Sequence, residues 1–306
     1  MPYIITLDQS TSATKALIFD ATGRLVDKAS VEHKQYYPRP GWVEHDADEI
    51  YENTLSVLNA VIKRNRSISS DLLCLSITNQ RETIVVFDRQ SGKPLYRAVV
   101  WLCRRGAPVC EELVRANYNE RVQKITGLKL DTYFPAPKLR WLFENHSEIT
   151  RQVCGREALI GTIDSYLIYR LTRGRVHATD NTNASRTLLY DIGRLRWDEE
   201  LCRVFKVPIH ALAVVKESSS TFGETNLGGV LTRSIPICGV MGDSQAALFA
   251  ERCFRPGTAK VTMGSGCSVL LNIGDQPRVP PRGIVSTIAW VYKGKVTYAF
   301  EGIIRA

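Results

Sequence analysis

The stretch IITLDQSTSATKALIF, residues 4–19, decides the fold. Residues 4–7 and 15–19 are mainly apolar and of strand length, and the turn between them is rich in hydroxyl groups. A second turn at residues 20–23 precedes residues 24–31, which have the length and composition of a third strand. The opening therefore predicts an antiparallel β-meander.

Helical and extended segments alternate along the chain beyond this meander. Asp46 is predicted to cap a helix, with Glu49 three residues later at capping-box spacing. Apolar residues follow at helical period, namely Ile50, Val57, Leu58 and Val61. Residues 72–78 form a continuous apolar run that is typical of a strand covered on both faces. Further helices are predicted near residues 138–145, 162–171 and 244–253. The alternation predicts an α/β protein.

Residues 260–272 weakly repeat the strand–turn–strand pattern of the opening hairpin. Residues 260–263 and 268–272 are strand-like and flank a small polar turn. Two such hairpins indicate a duplicated fold whose halves face each other across a cleft. The second half would begin near residue 255, with only about 50 residues present, which is around the lower limit for independent folding. We therefore expect that the chain is cut short.

Composition and charge exclude several classes of protein. The formal net charge of +9 suits an anionic ligand such as a nucleotide. There is no run of five basic residues, no zinc-finger spacing and no helix-turn-helix signature, so nucleic-acid binding is not expected. The eight cysteines form no CxxC pair. No signal peptide is visible, and no apolar run reaches the roughly 18 residues needed to cross a bilayer. We expect a soluble cytoplasmic protein without a membrane partner.

The turn between residues 8 and 15 is the first candidate site. It contains four hydroxyl groups, the acid Asp8 and the base Lys15. Turn amides and hydroxyls line anion sites, and an adjacent carboxylate can hold Mg²⁺ directly or through water. Ser and Thr also fill turns simply because their side chains bond to the local backbone. Both interpretations stay open at this point.

Asp243 is a second candidate, because it follows the apolar run 237–241 and begins a helical segment. Asp is a favoured helix N-cap and complements the helix dipole. A carboxylate at the carboxyl end of a strand is also where ligands bind in an open α/β sheet. There it could accept the proton of a hydroxyl group that attacks a phosphoryl group.

Arg81 and Glu82 directly follow the predicted strand at 72–78. A guanidinium that donates to one hydroxyl and a carboxylate that accepts from its neighbour would suit a vicinal diol. An exposed ion pair of little energetic value is the alternative. Trp101 and residues 133–134 (Tyr-Phe) could wall a sugar or polyol pocket, although aromatic residues more often lie in a core.

Together these motifs resemble the FGGY family of carbohydrate kinases, most closely its glycerol kinase branch. The resemblance is collinear from Leu7 to Glu301. It is carried by LDQSTSATKALIFD, YPRPGWVEHD, ITNQRET, DRQSGKPLY, VVWLCRR, TGLKLDTYF, GTIDSYLI, TDNTNASRTLLYD, GDSQAALF, GSGCSVLLNIG and YAFEG. Residues 133–145, with Lys138, Leu139 and Trp141, look like the first signature of the family.

The resemblance implies ribonuclease H-like domains of the actin and hexokinase type, each with a mixed sheet and flanking helices. Residues 1–253 would form the amino-terminal, substrate-binding domain. Residues 254–306 would form the incomplete beginning of a carboxy-terminal, nucleotide-binding domain. The implied reaction is transfer of the γ-phosphoryl group of ATP, with Mg²⁺, to a hydroxyl group of a polyol or sugar.

The resemblance also implies a role for individual residues. Asp243 would be the general base, and Asp8 would help to place Mg²⁺, through water. Residues near the nucleotide phosphates would be Thr11, Ser12, Lys15, Gly264 and Ser265. Residues around the acceptor substrate would be Arg81, Glu82, Trp101, Tyr133, Asp243, Ser244 and Ser268.

Three positions depart from the pattern of glycerol kinases. Ser244 stands where Gln is usual, and Ser268 stands where an aromatic residue is usual. Both changes enlarge the implied pocket, and the change at position 268 also adds a hydrogen-bond donor, so we hypothesise a substrate larger than glycerol, such as a tetritol, a pentitol or a xylulose-like ketose. Lys15 replaces the usual Arg, which keeps the charge but loses the planar fork.

The end of the chain at Ala306 lies where the family continues through most of its second domain. We therefore expect weak nucleotide binding and little or no turnover by the 306-residue chain. A non-catalytic polyol- or sugar-binding fragment is the alternative. Strands near residues 284–300 would lack neighbours, so a homo-oligomer formed through exposed strand edges is a further expectation.

Overall fold

The computed structural model describes residues 1–263 and 266–305. The strands are, in chain order, β1 (Tyr3–Gln9), β2 (Ala13–Asp20), β3 (Leu25–Glu32), β4 (Glu44–His45), β5 (Leu72–Asn79), β6 (Ile84–Asp88), β7 (Ala98–Val99), β8 (Ala158–Thr162), β9 (Ala178–Asp180), β10 (Tyr190–Asp191), β11 (Arg196–Trp197), β12 (Val214–Lys216), β13 (Thr221–Thr225), β14 (Ile235–Gly242), β15 (Ala259–Met263), β16 (Gly266–Gly274), β17 (Val285–Tyr292) and β18 (Lys295–Arg305). The helices are α1 (Ala47–Arg64), α2 (Ala107–Arg115), α3 (Asn119–Thr126), α4 (Pro135–Asn145), α5 (Ser147–Cys154), α6 (Ile163–Leu171), α7 (Asn181–Ala184), α8 (Glu199–Val204) and α9 (Asp243–Ala250). None of these helices has the length and apolar character that a membrane crossing requires.

The largest sheet contains six strands in the order β13-β14-β5-β1-β2-β3. β1, β2 and β3 are antiparallel neighbours, which confirms the predicted β-meander. β1 also pairs in parallel with β5, and β5 pairs in parallel with β14. Gln9, Asn79 and Gly242 are therefore in register at the carboxyl ends of three parallel strands. The segments that follow them meet at one edge of the sheet, which is where ligands bind in open α/β sheets.

α1 and α6 cover one face of this sheet and form the main core with it. The apolar residues predicted at helical period are all fully buried: Ile50, Val57, Leu58 and Val61. The predicted cap is confirmed, because the Asp46 carboxylate accepts hydrogen bonds from the backbone N–H groups of Asp48 and Glu49. The capping box is not formed. The Glu49 carboxylate instead accepts from the backbone N–H of Lys34 at 3.1 Å.

β5 is less covered than the sequence predicted. Leu75 and Ile77 are buried in the main core. Leu73 is 55% exposed at an irregularity in the pairing with β1, and Ser76 and Thr78 line a groove of about 380 Å³. The expectation of a strand covered on both faces is therefore wrong, because the layer of α1 and α6 covers only one face.

Two four-stranded sheets and two two-stranded sheets, β10-β11 and β12-β9, complete the fold of the described residues. The second sheet has the order β4-β7-β6-β8 and packs with α2, α4 and α5. The third sheet has the order β15-β16-β18-β17. It contains the predicted second hairpin, in which Lys260 pairs with Leu270; the turn residues Gly264 and Ser265 lie outside the described residues. A mixed main sheet with flanking helices confirms the predicted α/β class.

Candidate active site

Three segments at the carboxyl edge of the main sheet carry six of the predicted site residues. Because β1, β5 and β14 are neighbours, the segments that follow them are brought together although they are far apart in sequence. They contribute Thr11 and Ser12 from the β1–β2 turn, Arg81 and Glu82 after β5, and Asp243 and Ser244 at the start of α9.

Four buried charged side chains form the centre of the site, and we call them the ion network: Arg81, Glu82, Arg186 and Glu301. Arg81 donates to both carboxylate oxygens of Glu301, with Nη2–Oε1 at 2.6 Å and Nη1–Oε2 at 3.2 Å. Arg186 pairs with the same carboxylate, with Nη1–Oε2 at 2.6 Å. Arg186 also donates through Nε to Glu82 Oε1 at 2.6 Å. Each side chain is at most 4% exposed, so the charges balance one another away from water.

An exposed ion pair between Arg81 and Glu82 was the alternative interpretation, and it is wrong. The two side chains are buried, and the distance from Arg81 Nε to Glu82 Oε1 is 3.9 Å. Each forms a shorter pair elsewhere, Arg81 with Glu301 and Glu82 with Arg186. Glu82 has φ 62°, a left-handed backbone that residues with a side chain rarely adopt and that clusters at functional sites.

The pKa values show how strongly the network depends on its pairs. Burial opposes the ionisation of Glu301, but the guanidinium groups of Arg186 and Arg81 outweigh it and lower the pKa of Glu301 to about 2. Burial raises the pKa of Glu82, and the same two arginines offset this only in part. Removal of one partner from such a buried pair typically costs about 3–5 kcal/mol, because the remaining charge stays buried without compensation.

Asp243 lies at the open side of the ion network. Its Oδ1 is 3.3 Å from Arg81 Nε and accepts a hydrogen bond from the backbone N–H of Ser244 at 2.6 Å. Its side chain is 48% exposed. The surrounding protein removes hydration and raises the pKa of Asp243, while the Arg81 guanidinium acts in the opposite direction. A carboxylate with a raised pKa, open to a ligand, is suited to accept a proton.

The cap of α9 is Gly242, so the interpretation of Asp243 as a helix N-cap is wrong. The Asp243 carboxylate bonds to the adjacent N–H rather than to the second or third N–H of the helix. Gly242 also makes room for Arg81, since a Cβ at position 242 would lie 2.7 Å from Arg81 Cγ and Cδ. Gln245, fully buried on the first turn of α9, accepts from Arg81 Nη1 at 3.1 Å.

Trp101 and Tyr133 form an aromatic wall beside the network. Their ring centroids are 5.3 Å apart with an interplanar angle of 56°. Tyr133 lines a cavity of about 370 Å³ together with Arg186 and Glu301. Burial and the nearby charge of Glu82 raise the pKa of the Tyr133 phenol, so it stays protonated. Both aromatic residues are half-buried, which fits a pocket wall better than a closed core.

The β1–β2 turn connects the aromatic wall to the predicted phosphate side. Thr11 Oγ1 accepts a hydrogen bond from Trp101 Nε1 at 3.0 Å. Lys15 Nζ lies 3.0 Å from Asp8 Oδ2, and the two side chains are 43% and 29% exposed. Ser12 is exposed at the tip of the turn.

The residues of this turn fit a magnesium ion that is held mainly by water and phosphate oxygens. Asp8 offers one carboxylate, and the described residues contain no group of three or more His, Cys, Asp or Glu that could enclose a metal. Mg²⁺ usually retains several waters and binds proteins through one or two carboxylates together with substrate phosphates. Asp8 is thus suited to a water-mediated role and not to a closed metal cage.

Ser244 and Ser268 are placed differently. Ser244 is half-buried beside Asp243. Ser268 lies on β16 opposite Thr262 and Ile303, and its Oγ is buried without a hydrogen-bond partner among the described residues. Gly264 and Ser265, predicted near the phosphates, lie outside the described residues.

Sequence reasoning missed Arg186, Glu301, Lys260 and Gln245 as site residues. Lys260, Leu270 and Glu301 are opposite one another on three antiparallel strands, so their side chains share one face of the third sheet. Burial lowers the pKa of Lys260, and the nearby charges of Glu301 and Asp243 act in the opposite direction. The available signal was a charged residue within an apolar strand, Glu301 in VTYAFEG, because a charge in such a strand requires a buried partner.

A model of the FGGY family of carbohydrate kinases, N-terminal domain, matches residues 3–250. Glycerol kinase 1 of Thermotoga maritima is 48% identical over 304 residues, which are 99% of this chain and 62% of that protein. The glycerol kinase of Caldanaerobacter subterraneus is 44% identical over 302 residues, 99% of this chain and 61% of that protein. The chain thus spans about 60% of the length of these curated relatives.

Solved structures show the same similarity. The crystal structure of Plasmodium falciparum glycerol kinase with ADP superposes with a TM-score of 0.93 at 38% identity and covers 100% of this chain and 61% of that chain. A ligand-bound xylulose kinase from Lactobacillus acidophilus has a TM-score of 0.87 at 19% identity, over 99% of this chain and 60% of that chain. At 19% identity, the second similarity concerns the fold alone.

Proposed function

We propose that this chain, which belongs to the FGGY family of carbohydrate kinases, binds a polyol and supplies the base for ATP-dependent phosphorylation of one of its hydroxyl groups. One observation carries the proposal. The Arg81 Nε is buried without a hydrogen-bond partner among the described residues and faces the half-exposed Asp243 carboxylate at 3.3 Å. A hydroxyl group at this point could accept from Arg81 and donate to Asp243.

In the proposed reaction, the chain's own residues orient the acceptor and move one proton. Arg81, fixed by Glu301 and Gln245, donates to an acceptor oxygen. The Asp243 carboxylate takes the proton as the acceptor oxygen attacks the γ-phosphorus of ATP, and the bond from that phosphorus to the β–γ bridging oxygen breaks so that ADP leaves. Trp101 and Tyr133 pack against the carbon chain and exclude water.

ATP and Mg²⁺ are the proposed co-substrate and metal. The turn amides, Thr11, Ser12 and Lys15 would face the phosphates, and Asp8 would hold Mg²⁺ through water; Gly264 and Ser265 retain the same proposed role. When bound, the metal neutralises the charge that develops on the phosphate oxygens. The half-exposed pair of Lys15 and Asp8 can exchange partners at low energetic cost, since exposed pairs contribute little stability.

Glycerol is the acceptor that we propose first. The relatives with 44–48% identity are named glycerol kinases. This similarity favours a three-carbon polyol over the larger polyol or ketose that Ser244 and Ser268 suggested.

The proposed division of the chain is a substrate domain over residues 1–253 and the beginning of a nucleotide domain over 254–306. The family match to residues 3–250 supports the first part. We also place the protein in a reducing compartment such as the cytoplasm, because the seven cysteines whose side chains the structure describes are free thiols.

Calorimetric titration tests the proposal with glycerol, tetritols, pentitols and ketopentoses, and ADP release with Mg-ATP is measured in parallel. We expect glycerol to bind, and Arg81→Lys to weaken binding by about tenfold or more because the planar fork is lost. Arg140→Lys is the matched control, since Arg140 is a buried arginine that pairs with Glu112 and Glu144 away from the site. The proposal is wrong if no polyol binds, or if both variants weaken binding equally.

A further inference from the structure

Lys138 is a fully buried lysine that contacts the backbone beneath both aromatic residues of the site. It lies in the first turn of α4 and has 0% exposure. Its Nζ donates to the carbonyl of Tyr133 at 2.9 Å and to the carbonyl of Val100 at 3.3 Å. A longer contact of 3.5 Å reaches the carbonyl of Trp101. One ammonium group therefore joins the Val100–Trp101 segment to the Tyr133 segment.

The position of this ammonium group is unfavourable by two general criteria. A positive charge near a helix N-terminus opposes the helix dipole, and α4 has no acidic residue in its first turn. Burial of a charge is also costly unless the charge is paired. Among the described residues, Lys138 forms no ion pair within 4.0 Å, and backbone carbonyls are its hydrogen-bond partners. The hydrogen bonds to these carbonyls offset the free-energy cost of burying the charge.

We propose that Lys138 is a positioning residue for the acceptor site, because it fixes the backbone of Trp101 and Tyr133 and thereby the spacing of their rings. The inference rests on the proposed function and adds a residue to it. Trp101 is further held through its backbone N–H to Thr83 Oγ1 at 3.3 Å and through its indole N–H to Thr11. The backbone carbonyl of Tyr133 accepts a hydrogen bond from Lys138 Nζ. Loss of the ammonium group releases the two segments from each other.

The protonation of Lys138 gives the proposal a second, independent consequence. Burial lowers the pKa of Lys138 to about 7, so its charge changes near neutral pH. The other titratable or charged groups that act on it are Cys103, Cys110, Glu82, Asp131 and Arg105. The neutral amine donates fewer hydrogen bonds than the ammonium group. Polyol affinity should therefore fall as the pH rises from 6 to 9.

Stability should respond to the same protonation with the opposite sign. The pKa of Lys138 is lower in the folded state than its ordinary value of 10.5, so the unfolded chain binds more protons between pH 7 and 10.5. Folding stability from this residue therefore rises with pH in that range. A residue with a merely structural role would make affinity and stability change in the same direction.

The experiment compares the 306-residue chain with Lys138→Met and with Arg140→Met as the matched control. Arg140 is a buried cation on the same helix, and it pairs with Glu112 and Glu144 rather than with the site. Hydrogen exchange is measured by mass spectrometry over residues 100–104 and 131–134, and glycerol affinity is measured by calorimetry at pH 6 to 9. We expect Lys138→Met to accelerate exchange in both segments and to raise the glycerol Kd by about tenfold. Arg140→Met should leave the Kd within about twofold, since exposed or remote pairs have little effect on the site.

Three outcomes would overturn the proposal. The first is an unchanged rate of hydrogen exchange at both segments in Lys138→Met. This can be measured even if no polyol binds and the proposed function fails. The second is a wild-type affinity for glycerol that does not fall as the pH rises from 6 to 9. This can be measured even if Lys138→Met does not fold. Equal loss of glycerol affinity in Lys138→Met and Arg140→Met would also contradict a positioning role.

Discussion

The ion network and the β1–β2 turn lie at the same edge of the main sheet, yet they hold their charges in opposite ways. In the network, Glu301 and Arg186 are at most 1% exposed, and every charge is paired with one on a distant segment. In the turn, the pair of Asp8 and Lys15 is local, at directly opposite positions of a hairpin, and is partly accessible to water. The acceptor side is therefore preorganised, whereas the phosphate side can change its partners when a ligand arrives.

Asp243→Asn should have the largest effect, because it removes the base that joins the two regions in the proposed reaction. We expect whatever ADP release the wild-type chain shows with Mg-ATP and glycerol to fall by about 10²–10⁴-fold, the usual contribution of a general base. Calorimetry should show glycerol affinity changed by much less, since the amide oxygen can still accept a hydrogen bond. Glu251→Gln, at the exposed C-cap of the same helix, is the control, and full activity in Asp243→Asn would refute the role of the base.

Arg186→Met tests whether the network is as tightly coupled as its burial indicates. It leaves Glu82 without its 2.6 Å partner and removes one of the two cations on Glu301. The free energy of unfolding should fall by about 3–5 kcal/mol, as measured by chemical denaturation. Arg121→Met removes a half-exposed ion pair with Glu200 and should cost at most about 1 kcal/mol. Similar losses in the two variants would remove the contrast between buried and exposed pairs.

His45 is linked to the β1–β2 turn through Gln35 and should make the stability of the protein sensitive to acid. Its Nε2 lies 2.7 Å from Gln35 Oε1, and Gln35 donates to the Thr11 carbonyl. Burial lowers the pKa of His45 to about 3, so the unfolded chain binds more protons between pH 6.5 and 3. Stability should therefore fall with decreasing pH by up to about 1.4 kcal/mol per unit in this range.

The measurement is the difference in unfolding free energy between wild type and His45→Gln from pH 7 to 4. His177, whose pKa burial lowers to about 4, contributes equally to both proteins and cancels. A difference that does not change with pH would show that His45 is not held neutral beneath the turn.

Asp8→Asn should have the smallest effect on stability. The exposed pair with Lys15 contributes about 0–1 kcal/mol, so denaturation should detect little change. Binding of Mg-ATP should nevertheless weaken, because the proposed metal site loses its carboxylate, and this is measured by calorimetry with and without Mg²⁺. A loss of several kcal/mol in the free energy of unfolding would show that Asp8 is as strongly coupled as the ion network. The contrast between the two regions would then be wrong.

Local pattern was sufficient for much of this molecule. The hairpin at residues 4–19 forms as predicted, because an apolar–polar–apolar pattern with a hydroxyl-rich turn is compatible with few structures. The start of α1 is also encoded locally, through the Asp46 carboxylate. Asp243, Arg81 and Glu82 could be identified as candidates because they follow apolar strands, although their partners could not.

Only the tertiary structure decided which charges meet. Arg81 and Glu301 are separated by 220 residues, and their pairing depends on the register of β16 with β18 and on the position of α9. The same is true of Lys138, whose carbonyl partners at Val100 and Trp101 lie on another segment. The physical reason is that the sequence determines that a buried charge needs a partner, whereas the three-dimensional packing of strands and helices determines which partner is within reach.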